Sequence, residues 1–167
     1  IWPKGEIAIN IDESLTNRMN RDGVNMRKQA LEAIGIFNRL TNLRLVSRTN
    51  QQHYITLKFS PDTTYGGLSP IGRVGGEQIV WITALSGVRT YLHELMHSFG
   101  FYHEQSRYDR DQYVVVDTTK AAPEFRYNFQ IEPGVTGTDY DYSSVMHYSG
   151  GAFASKAGDR TIRCKNG

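Results

Sequence analysis

The string HELMHSFGFYH, residues 93–103, constrains this chain more than any other part of its 167 residues. It sits in LSGVRTYLHELMHSFGF, where Val88, Leu92, Leu95, Met96 and Phe99 recur at helical spacing and predict a helix with these five as core candidates. Gly100 marks its end, a place where positive φ is often required. His93 and His97 are four apart, so their imidazoles leave one face of the helix a turn apart. Two nitrogens so placed reach one metal ion at about 2.0–2.1 Å, the usual Zn–N distance. Glu94 projects too far round to be an equal ligand and suits accepting a proton from water at the metal. A turn at Gly100 brings His103 back as a third ligand. Three protein nitrogens leave a fourth tetrahedral position open, which is the mark of a catalytic rather than a structural zinc site. A structural zinc alone would give Glu94 and that open position no purpose.

The rest of the chain predicts one domain with α+β character, a length for which a core forms without disulfides. In EIAINID, Ile7, Ile9 and Ile11 alternate with polar or small residues, as in a half-buried strand. Met26, Ala30, Ile34 and Phe37 step by three and four between about Val24 and Leu40 and predict an amphipathic helix. HYITLKF and EQIVWIT predict two more strands, the second apolar on both faces and more deeply buried. SPDTTYGGLSPIGRVGG between them reads as loop. After Asp111 the pattern loosens into turns, aromatics and short extended pieces. With 19 basic and 17 acidic residues interspersed, the surface suits neither nucleic acid nor an anionic membrane. No apolar run is long enough for a membrane span, and IWPKGE does not read as a signal peptide. Cys164, the only cysteine, reads as a buried small hydrophobe or as half of a bridge to a residue beyond these ends.

Downstream, SSVMHYSG supplies Met146, His147 and Tyr148. A methionine forms a soft apolar floor under a metal without competing for it, and a tyrosine hydroxyl binds zinc weakly or hydrogen-bonds developing oxyanion charge. The long histidine motif followed by a Met-containing turn is the metzincin pattern. HELMHSFGFYHEQSRYDRD, SVMHY and IGRVGGEQIVWI together resemble the astacin family of metzincin zinc peptidases, from Trp2 to about Thr161. That resemblance implies a two-lobed, zincin-like fold. Its N-terminal lobe, about 1–100, holds a twisted sheet and two long helices; the C-terminal lobe, about 101–167, is irregular, and the active-site cleft lies between them. It implies one catalytic domain over 1–167, truncated at the C-terminus. It also implies Zn2+ on His93, His97 and His103, Glu94 as general base, and Tyr148 as a movable fifth ligand that stabilises the transition state. The expected function is a secreted zinc endopeptidase acting on polypeptides and held by an inhibitory propeptide; the alternative is a catalytically silent, zinc-stabilised binding domain.

Several positions depart from the family pattern. Leu43, Leu68 and Leu85 stand where relatives carry cysteines, so both family disulfides are missing and packing by these leucines is the expected substitute. That pattern suggests a divergent, bacterial member. Gly150 stands where many relatives have a basic residue facing the substrate, which puts an acidic preference there in doubt. Glu104, which the family pairs with a buried N-terminus, is expected to be a structural support. Arg73 and Arg89 either flank the cleft or, as is commoner for charged residues, are solvated surface charges. The stretch Glu77–Ile82 is expected to be the edge strand on which an extended peptide aligns.

Overall fold

The computed structural model describes residues 2, 5–134 and 137–165. The chain falls into two compact units, Ile1–Phe101 and Tyr102–Gly167.

The first unit is built on strands β1 (Glu6–Ile11), β2 (Arg44–Ser47), β3 (Tyr54–Phe59), β4 (Gly67–Leu68) and β5 (Glu77–Ile82), with helices α1 (Met26–Leu40) and α2 (Val88–Phe99). The sheet order is β2-β1-β3-β5-β4, parallel throughout except for β4, which runs antiparallel to β5. Register pairs Ile9 with Ile55 and Leu57 with Val80. Because strand side chains alternate, that register gathers Ile7, Ile9, Ile55, Leu57, Val80 and Ile82 on one face. They share a core with Met26, Ala30, Ala33, Phe37, Tyr91 and Leu95 from the helices. Burying an Ile or Leu side chain fully stabilises by about 1.5–3 kcal/mol, so this face dominates the unit's stability.

Helix α1 starts at Asn25, whose Oδ1 accepts the Lys28 N–H at 2.9 Å and satisfies a donor the helix leaves orphaned. Its buried stripe is Met26, Gln29, Ala30, Ala33 and Phe37, with Ile34 half-buried beside it. Helix α2 buries Tyr91, Glu94, Leu95, His97 and Ser98, while Val88, Leu92, Met96 and Phe99 pack more loosely on the core. Tyr91 is held at its tip, the hydroxyl donating to the Met26 carbonyl at 2.9 Å, which ties the two helices together.

Four expectations need correction. β5 carries apolar residues on both faces but is not the more deeply buried strand: Gln78, Val80 and Ile82 are buried, whereas Ile79 and Trp81 on the other face are only half-buried. Nor is β5 the outermost strand, since β4 pairs with Trp81 and Ile82 and its own far edge has no ladder partner among the described residues. The leucines do not jointly replace lost disulfides. Leu43 packs on the core, but Leu68 lies on the outermost strand at 53% exposure and Leu85 in the turn after β5 at 40%. Cys164 is exposed, at the end of a short strand rather than in a core.

The second unit has little regular structure. Strands β6 (Val114–Val116) and β7 (Ile162–Cys164) pair antiparallel, Val114 opposite Cys164. Its core is small: Val114, Ala121, Phe129, Tyr140 and Ile162. Side chains do much of what a ladder does elsewhere. Buried Arg110 donates to the carbonyls of Gln105 and Phe129. Arg107 donates to both carboxylate oxygens of Asp109, to Glu104 Oε1 and to the carbonyls of Thr138 and Asp139. No helix among the described residues is long and apolar enough to cross a membrane.

Candidate metal centre

The centre begins with how α2 ends. Gly100 takes φ 106°, its N–H donating to the His97 carbonyl at 2.9 Å, and the Phe101 N–H donates to the Met96 carbonyl at 3.1 Å. This paired cap, a Schellman motif, requires the left-handed region that favours glycine. It closes the helix one turn after His97 and redirects the chain. The available ring nitrogens of His93, His97 and His103 then lie within 4.8 Å of one another.

The two helical imidazoles stand nearly perpendicular, centroids 4.7 Å apart. His97 Nδ1 lies 2.8 Å from the Phe101 carbonyl oxygen. A carbonyl only accepts, so Nδ1 carries the proton and Nε2 keeps its lone pair for a metal. Burial pulls the His97 pKa down to about 4 against the pull of that carbonyl, with the proximity of His93 a lesser cause in the same direction, so the ring stays neutral at physiological pH. Three imidazoles converging from one short segment are the donor set of a catalytic zinc site, and the residues present fit that ion. The two remaining histidines are engaged elsewhere. His53 Nδ1 accepts the Gly76 N–H, and His147 donates from Nδ1 to the Tyr148 carbonyl and accepts the Tyr140 hydroxyl at Nε2.

Glu94 is only 5% exposed, and that burial pushes its carboxyl up to about 8. A divalent cation on the neighbouring imidazoles favours the ionised form instead. Within the second unit, the Tyr148 ring lies 4.3 Å from the His103 ring, centroid to centroid. Its backbone is fixed by Gln105, a fully buried side chain whose Oε1 accepts the Tyr148 N–H at 2.9 Å. The Glu104 N–H donates to the carbonyl of buried Met146 at 3.0 Å. Residues 104 and 105 thus clamp the Met146–Tyr148 turn from one side. Gln105 was not anticipated from sequence; the only hint was a polar residue two places beyond the third histidine. The Glu104 carboxylate accepts from Arg107 and from the Asp141 N–H, a structural support as expected. Arg89 is exposed as expected, whereas Arg73 is half-buried, its guanidinium 5.9 Å from the Trp2 ring. The Arg160 guanidinium packs against Gly150, where a Cβ would stand 2.9 Å from Nη1, so positive charge reaches this place from elsewhere in the chain.

A three-histidine centre with a buried glutamate, two of the histidines and the glutamate carried on a helix that packs on a mixed sheet and the third histidine just past its end, defines a zinc metallopeptidase domain. The family model for Astacin, a peptidase family, matches residues 1–167, and the chain belongs to the astacin family. It is 34% identical over 171 residues to zinc metalloproteinase nas-14 of Caenorhabditis elegans, covering 97% of this chain and 32% of that protein. To the astacin-like metalloendopeptidase of Mus musculus it is 37% identical over 159 residues, covering 92% of this chain and 35% of that protein. The solved structure of high choriolytic enzyme 1, a hatching enzyme zinc-protease from Oryzias latipes, superposes with a TM-score of 0.85 at 32% identity, covering 99% of this chain and 80% of that one. The chain spans about a third of the length of the two curated relatives.

Proposed function

We propose that this domain hydrolyses internal peptide bonds of polypeptides, with Glu94 carrying the proton and Tyr148 stabilising the transition state. The observation that carries the reading is the convergence of His93, His97 and His103 beside Glu94, which is buried on the helix that carries the first two. Zinc held by the three imidazoles supplies Lewis acidity, polarising a carbonyl and making water a better nucleophile near neutral pH. The Glu94 carboxylate accepts a proton from the attacking water and returns it to the leaving amine nitrogen. Its burial suits the second half of that exchange, because a desolvated carboxyl holds its proton until a stronger base forms. The Tyr148 hydroxyl donates to the oxyanion that develops on the former carbonyl, a contribution of about 10²–10³ in rate for one such donor. An extended substrate adds its backbone to the free edge of β4, which favours polypeptide over small-ester substrates.

The reading includes three further parts supported by family resemblance: one catalytic unit over 1–167, secretion, and an inhibitory segment that precedes the active form. Glu94→Gln tests the chemistry. The variant should keep its zinc and its fold and lose casein cleavage by several orders of magnitude. Undiminished cleavage would remove Glu94 from the mechanism. Zinc binding by the unaltered protein with no hydrolysis of any peptide library would favour the silent binding domain instead.

A further inference from the structure

Gly67, on the outermost strand, faces the side chain of Glu94 so closely that a Cβ there would stand 2.6 Å from Cγ and 2.9 Å from both Cδ and Oε1. Real Cβ contacts essentially never fall below 3.0 Å. The backbone itself does not call for glycine, because Gly67 is not among the residues with positive φ. Its neighbour Gly66 is different: a Cβ there would meet the Thr90 side chain, Cγ2 at 3.5 Å and Oγ1 at 3.8 Å, both ordinary contacts. The three atoms nearest to such a Cβ all belong to Glu94, so the requirement at 67 is set by that side chain.

Neither backbone has room to withdraw. The strand is tied to its surroundings by the pairing of Gly67 and Leu68 with Ile82 and Trp81. Just before it, the Gly66 carbonyl accepts from the Thr83 N–H, the Thr83 hydroxyl and the Ser86 hydroxyl. Helix α2 is locked by Leu95 and Tyr91, both fully buried, and by the Tyr91 hydroxyl on Met26. A side chain at 67 would leave only the Glu94 carboxylate free to move.

We propose that Gly67 is a positioning residue for Glu94: the bare backbone of β4 sets the carboxylate flush against the strand edge on which an extended peptide lies. This rests on the reading of Glu94 as the proton carrier. The strand then has two roles at one point. Its outer edge fixes the register of the peptide, and its missing side chain fixes the distance from that register to the carboxylate. A displacement of about 1 Å at such a group costs on the order of 10²-fold in rate.

The test is Gly67→Ala in the full chain, with Gly66→Ala as the neighbouring control, and each read for zinc stoichiometry, kcat, KM and melting temperature. Gly67→Ala should keep its zinc and lose about a hundredfold in kcat, while KM stays within about threefold. Gly66→Ala should remain within about twofold of the unaltered enzyme in both constants. The melting temperature should fall for Gly67→Ala in the unaltered background but not in Glu94→Ala, where the atoms struck are gone. If Gly67→Ala alone does not fold, recovery of the fold in the double variant supports the contact and its failure overturns it. A kcat within threefold of the original, loss of zinc, or an equal fall in melting temperature in both backgrounds would overturn the proposal. Glu94→Gln with full activity would sink the proton-carrier role while leaving the melting-temperature cycle intact, so the two failures are distinguishable.

Discussion

The two units solve the same problem with different materials. The first satisfies its backbone through a five-stranded ladder and two helices, and its interior is a contiguous set of apolar side chains. The second has two three-residue strands, and charged or amide side chains cap the carbonyls that no ladder reaches. An apolar core tolerates exchange of one hydrophobe for another of similar volume, because no single contact carries much. A buried guanidinium shared by two carbonyls has no such substitute: its loss strands several polar groups at once. The first unit is therefore a scaffold with redundancy, and the second is a set of individually necessary bonds.

The largest contrast is expected at Arg110. Arg110→Met removes charge-assisted bonds to the Gln105 and Phe129 carbonyls, and at about 1.5–3 kcal/mol for each such bond the cost is roughly 3–6 kcal/mol. Leu95→Met in the first unit should cost less than about 1.5 kcal/mol, although Leu95 is fully buried. Urea denaturation of the two variants side by side checks the difference; equal losses would break the comparison.

A smaller effect is expected at Gly100, where φ 106° penalises any side chain. Gly100→Ala should lower stability by about 1–2 kcal/mol and weaken zinc binding, because the cap directs the chain from His97 to His103. Zinc affinity by competition with a chelator, together with a thermal melt, measures both.

The smallest effect is a pH slope peculiar to the second unit. Hydrogen bonding to Arg107 holds the Asp109 carboxyl below its ordinary value of 3.8, against a smaller opposing effect of burial. A depressed folded-state pKa means that the unfolded chain binds the proton first. This stabilisation is complete above about pH 4 and is lost as pH falls through the folded value. Asp109→Asn should lower stability at pH 7, where the pairing with Arg107 is complete, and flatten the fall below pH 4, so that the two proteins converge in acid, as followed by denaturation across an acid titration of circular dichroism.

How much could be read in advance follows the same division. Ile7, Ile9 and Ile11 announced β1. Although in α2 only Leu95 of the five expected core positions is fully buried, and Val88, Leu92, Met96 and Phe99 pack at the core's margin, the three- and four-residue steps of α1 and α2 announced both helices. Arg44–Ser47 did not, since only Leu45 of its four residues is buried and nothing alternates. Gly67–Leu68 is two residues long inside a Gly- and Pro-rich stretch, and its pairing comes from β5 rather than from any propensity of its own. The zinc ligands were legible because helix geometry converts spacing directly into convergence. The support from Gln105 was not, because its partner Tyr148 lies 43 residues away and only tertiary structure joins them. Leu68 and Leu85 misled for the same reason: apolar character says that a residue prefers burial, not that a site for it exists.

The parallel order of the sheet also sets a timetable. Parallel neighbours cannot be joined by a tight turn, so β1, β2, β3 and β5 must all be present before the platform closes, and such non-local pairing is slow. All four precede α2 in the chain, and synthesis delivers them in that order. His93, His97 and His103 thus leave the ribosome after the last parallel strand has been made. The platform can begin to assemble before a complete set of metal donors exists, which limits the time in which loose histidines could capture an ion in the wrong geometry.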